Sequence, residues 1–170
     1  MKGYATKTGA EGAEPRLMAI YLNDHLAGST TALERVRHAA REHRSTELGL
    51  FLSRLAQEID DDRQSLRRVM AAAGARPQRA KLAVAWIAEK VGRFKLNGRL
   101  LRRSPLTPFF ELEVVETGIY GKLLLWQVLR EQSPPGSAAV DLDELISRAH
   151  RQLGDVEKHR IAAGSALHCE

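Results

Sequence analysis

Apolar residues recur at spacings of three and four along four long stretches of the chain, which predicts four helices with one buried face each. In residues 17–43 the stripe is Met18, Leu22, Leu26, Ser29, Leu33, Val36 and Ala40. In 46–73 it is Leu48, Phe51, Leu52, Leu55, Ile59, Leu66, Val69 and Met70. In 106–131 it is Leu112, Val115, Ile119, Leu123 and Trp126, and in 142–163 it is Leu145, Ile146, Ala149, Leu153 and Val156. No run of alternating β-branched residues competes with this pattern, so the fold class is all-α.

Punctuation along the chain agrees with these four stretches. The link His43-Arg44-Ser45 is short enough to make the first two helices an antiparallel hairpin, with Ser45 available as the cap of the second and Gly74 as its stop. Thr107-Pro108 suits the start of the third, and Ser133-Pro134-Pro135-Gly136-Ser137 ends it. Asp141 followed by Glu144 reads as the cap and third position of the last helix. Residues 1–15 are small and polar and predict a disordered tail, which leaves 16–168 as a single helical domain.

Polar residues interrupt three of the four stripes. Asp62 fills the slot between Ile59 and Leu66, with Glu58 beside it; Glu116 lies about 40° from the centre of its stripe; Arg160 takes the slot after Val156. Buried charge needs a partner. Counting from the turns, His25 lies about 19 residues before the first and Asp62 about 17 after it, so the two should stand level. The same count levels Glu116 with Arg160. Two buried pairs are therefore expected, His25–Asp62 and Glu116–Arg160, and the first would raise the pKa of His25. The competing reading is a metal site made of His25, Glu58, Asp62 and Glu116, whose mixed imidazole and carboxylate donors suit iron, manganese or zinc. Against it stands an offset between the two pairs of roughly 8 residues, or about 12 Å. On the outer face of the first helix, Glu34, His38 and Glu42 form a solvated row.

Charge changes the picture at one place. The chain carries a formal +5, yet residues 76–103 hold nine basic residues against the single acid Glu89, so the remainder is net negative. Within this segment 81–91 reads as a further helix, joining the second long helix to the third. Arg76, Arg79, Lys90, Arg93, Lys95, Arg99, Arg102 and Arg103 are candidate contacts for a polyanion, with Trp86 and Phe94 interleaved, although no recognised nucleic-acid motif accompanies them.

Composition mostly excludes. A single cysteine, Cys169, rules out an internal disulfide or a multi-cysteine metal centre. Residues 1–15 contain no apolar run, and Glu116 and Lys122 interrupt the most apolar stretch, so neither a secretory signal nor a membrane span is expected and the expected compartment is the cytoplasm. Phosphate loops, dinucleotide fingerprints, nucleophile elbows and paired C-x-x-C motifs are all missing.

Two long helices, a basic crossover and two more long helices resemble the ferritin-like superfamily, in which one long connection joins two antiparallel hairpins. The stretch MAIYLNDHLAGSTTALE is similar to the first helix of small bacterial proteins of this type that lack an assigned activity. The resemblance implies a ferritin-like four-helix bundle with an additional basic helix in its crossover. Di-iron members carry Glu on two helices and Glu-x-x-His on the other two. Here the second helix has Glu58-Ile59-Asp60-Asp61 and the fourth Glu157-Lys158-His159-Arg160, while the first offers only Ser29 and His25 inward. Only Glu116 fits, so no standard di-iron centre and no cofactor are expected. The expected role is non-catalytic, structural or in interaction; a divergent metal-binding or oxidoreductase bundle is the alternative, and polyanion binding through 76–103 a second. Leu124, Leu125 and Leu129 fall outside the main stripe and suggest a homodimer.

Overall fold

The computed structural model describes residues 13–77 and 107–165, with side chains described from residue 16. Its long elements are all helices: α1 (Ala13–Glu42), α2 (Glu47–Ala72), α3 (Thr107–Gln132) and α4 (Leu142–Gly164), with a short 3-10 turn at Ser137–Ala139 between the last two. Among the described residues there is no strand. The basic segment and the helix expected at 81–91 lie outside them, apart from Arg76 and Pro77.

Helix ends follow local chemistry, with two departures from the expected bounds. α1 begins at Ala13, so Pro15 lies inside its first turn, where a missing N–H costs nothing. Thr46, not Ser45, caps α2: its hydroxyl accepts from the Gly49 N–H at 3.2 Å. At the other end Gly74 adopts a left-handed φ of 69°, its N–H donating to the Ala71 carbonyl and that of Ala75 to Met70, so the freed carbonyls find partners. Asp141 caps α4 through the Glu144 N–H at 3.0 Å.

Paired side chains fix the directions. Arg37 meets Asp60 at 3.1 Å and Asn23 bonds the Arg76 carbonyl, so α1 and α2 are antiparallel. Glu116 meets Arg160 and Arg130 meets Asp143, so α3 and α4 are antiparallel. Between hairpins, α1 packs on α3 (His43 to Glu111, Ala32 beside Gly118), and α2 on α4 (Phe51 to His159, Glu58 to Gln152, Asp62 to Arg148). Both neighbour pairs are antiparallel. It follows that α2 and α3 run the same way, and that α3 starts at the end of the bundle opposite to the one where α2 stops.

All four helices contribute to one core, from Leu22, Leu33 and Val36 on α1 through Leu66, Val69 and Met70 on α2 to Leu112, Trp126 and Leu129 on α3 and Ala149 and Val156 on α4. Of the three leucines expected to widen the surface of α3, Leu125 and Leu129 are buried and only Leu124 faces outward. No helix among the described residues is long and apolar enough to cross a membrane.

Candidate functional site

Polar chemistry inside the bundle gathers where α2, α3 and α4 meet. Asp62 follows Ile59 in the inner stripe of α2 and is only 2% exposed. Its two carboxylate oxygens are taken by different helices: Lys122 Nζ of α3 donates to Oδ2 at 2.5 Å, and Arg148 of α4 donates to Oδ1 at 3.0 Å. Lys122 also donates to Gln152 Oε1, and Gln152 Nε2 donates to Glu58 Oε2 at 2.7 Å. Arg148 reaches back one turn to Glu144 at 3.5 Å. A polar layer thus crosses the bundle from exposed Glu58, through Gln152, Lys122 and Asp62, to Arg148 and Glu144.

The layer is closed in charge. Three carboxylates, Glu58, Asp62 and Glu144, face three cations, Lys122, Arg148 and, at the Glu144 end, Arg151, and the buried amide of Gln152 is used as both donor and acceptor. Burial pushes the Lys122 ammonium below its ordinary pKa; Asp62 and Glu58 oppose that shift, and Arg148 adds to it. A shallow depression lined by Phe51, Arg54, Leu55, Glu58, Gln152 and Asp155 opens beside the Glu58 end.

Of the four candidate ligands, only Glu58 and Asp62 meet in this layer. His25 is not the partner of Asp62. At the turn Gly49 sits so close to the His43 carbonyl that a Cβ would collide with it, and α2 is offset along α1. Arg37 therefore lies opposite Asp60, and His25 stands level with the end of α2, about ten residues or about 15 Å beyond Asp62. His25 packs edge-on against Tyr21 at 4.6 Å, and burial lowers its pKa from 6.5, the reverse of the shift expected from an aspartate partner; Asp24 only partly opposes it.

Glu116 and Arg160 form an ion pair of 2.7 Å, as their levels imply, but at the rim of the bundle: their side chains are 31% and 25% exposed rather than buried. The Arg160 guanidinium also lies over Phe109, 6.0 Å from its ring centre. Among the described residues, no three His, Cys, Asp or Glu side chains are grouped to hold a metal. Of the candidate anion contacts only Arg76 is described, and there the backbone carbonyl, not the guanidinium, is engaged by Asn23.

Lys122, Arg148 and Gln152 were missed as members of a site, although two carried a signal. Lys122 stands three residues after Ile119 and four before Trp126, within the apolar stripe, and Gln152 follows Ala149 by three within the stripe of α4. A cation and an amide in inward slots, opposite an inward aspartate, are the partners that Asp62 requires.

No family model, no curated protein and no solved structure matches the chain.

Proposed function

We propose that the chain is a ferritin-like bundle without a di-iron centre, whose role is non-catalytic and carried by its surface. The observation that carries this reading is the Lys122 ammonium held between Asp62 and Gln152. A di-iron centre needs carboxylates whose negative charge, and neutral imidazoles whose nitrogen lone pairs, are left for the metals. Here the charge of Asp62 is already met by two protein cations, and the residues at the Glu-x-x-His positions are Asp61 and Arg160. These residues do not fit two iron ions. The antiparallel hairpins, with α2 and α3 running the same way, support the ferritin-like layout, because that fold too needs one long connection between its second and third helices.

Elemental analysis of the purified protein, beside Asp62→Ala and Glu116→Ala variants, tests this. The expected result is no stoichiometric iron, manganese or zinc in any of the three, with Asp62→Ala strongly destabilised. Stoichiometric metal in the parent that is lost in either variant would overturn the reading.

A further inference from the structure

The outer face of α3 is apolar as well as its inner one. Phe110, Val114, Leu124 and Val128 are exposed, Phe110 by 53% and Leu124 by 43%, and with Thr117 and Gly121 they form a line spaced four, three, four, three, four. That is the seam of a coiled coil, and it lies about 150° round the helix from the core stripe. A helix apolar on two opposed faces is one that expects to be covered on both.

The stripe is also nearly symmetric about residue 119. Phe110 and Val128 are equidistant from that midpoint, as are Val114 and Leu124, and the two small members Thr117 and Gly121 flank it. A two-fold interface requires that if one residue contacts a second, the second contacts the first. We propose that a second copy of this chain packs on the outer face of α3, antiparallel, with the two-fold axis at residue 119. Phe110 of each copy then lies on Val128 of the other, Val114 on Leu124, and Thr117 on Gly121. Among the described residues, nothing beyond its chain neighbours and the adjoining backbone of α3 lies within 4 Å of where a Gly121 Cβ would stand, which leaves the two backbones room to approach.

Charge agrees with this register. None of the six stripe positions is charged. Glu131, the next position of the seam, falls opposite Thr107 of the other copy, so a carboxylate that is 71% exposed reaches a helix N-terminus whose first turn has no acid of its own. Glu113 falls near Gln127 rather than near another acid. The seam from 110 to 128 is about 27 Å long. A single helix pair of that length is at the small end of specific interfaces, so association in the micromolar range is expected.

This rests on the surface-role reading above and names the surface. The test is sedimentation equilibrium of the full chain from about 1 to about 500 µM, a range that brackets a micromolar dissociation constant. The expected result is a monomer–dimer equilibrium, weakened at least about tenfold by Leu124→Glu and likewise by Val114→Lys. Both sites are exposed, so circular dichroism and melting should stay near those of the parent. In the double variant Val114→Lys, Leu124→Glu, each introduced cation faces the introduced carboxylate of the other copy, and the dimer should return. In a Cys169→Ser background, Tyr120→Cys should cross-link to itself beside the axis, while Val128→Cys should not. A monomer at every concentration overturns the proposal, as does a dimer indifferent to Leu124→Glu or a double variant that stays apart. If the chain is monomeric and a Leu124→Cys thiol is still protected from alkylation, residues of the same chain cover the face and the proposal fails. Metal analysis separates this from the reading it rests on: a metal-free monomer overturns the dimer alone.

Discussion

Asp62 of α2 and Lys122 of α3 meet at 2.5 Å although their helices belong to different hairpins and run in the same direction. Antiparallel pairing of α2 with α4, and of α4 with α3, brings the two levels together, and Arg148 closes on the free oxygen of Asp62. Removing one partner from such a layer leaves the others desolvated and unpaired.

Asp62→Ala is therefore expected to lower stability by about 3–5 kcal/mol, since Lys122 and Arg148 lose their shared carboxylate. The paired change Asp62→Leu with Lys122→Met removes both buried charges at once and should cost clearly less than Asp62→Ala. Urea unfolding followed by circular dichroism measures both, and equal losses would show that the layer is not held by charge pairing.

His25 gives a pH dependence with a definite sign. Its pKa in the folded chain lies below the ordinary 6.5, so between the two values the unfolded chain binds the extra proton. Its contribution to stability is complete above about 6.5, falls as pH drops from there through the folded pKa, and levels off below it. The urea midpoint of His25→Phe should show less of this fall between pH 7 and 5 than the parent. The imidazole resonances of His25 should titrate below 6.5.

Gly136 turns the chain between α3 and α4 at a φ of 95°, and a Cβ there would meet the Val69 carbonyl and the Ala73 nitrogen at the end of α2. Both the conformation and the contact oppose a side chain. Gly136→Ala should lower stability by about 1–3 kcal/mol, by strain at this turn rather than by loss of any side-chain contact. A thermal melt unchanged from the parent would contradict the close docking of this turn on α2.

Two neighbouring hydroxyls separate the observed cap from the expected one. Thr46→Ala should cost about 1 kcal/mol through the lost bond to the Gly49 N–H, whereas Ser45→Ala should change stability by less than about 0.5 kcal/mol. The reverse order would place the cap at Ser45.

Periodicity, caps and breakers determined much of the molecule from the sequence alone. Spacings of three and four placed the four long helices, because a core-facing stripe can repeat only with the helical turn. Asp141 marked the start of α4 for a reason equally local, the need of the first N–H groups for an acceptor. The level of Glu116 with Arg160 also emerged from counting, since the connection between α3 and α4 lets the two helices run side by side about its midpoint. The same count failed for His25 and Asp62, because α2 is offset along α1, so that Arg37 stands opposite Asp60 and His25 stands near the end of α2, a shift no residue count contains. Inward position made Asp62 legible as a buried charge, but not its partners. Those depend on which helix stands next to which, and that follows from the packing of one hairpin on the other. Tertiary structure likewise decided that Leu125 and Leu129 belong to the core while Leu124 faces out. The sequence shows only that α3 is apolar on more than one side; the positions of α1 and α4 determine which side the described residues leave exposed.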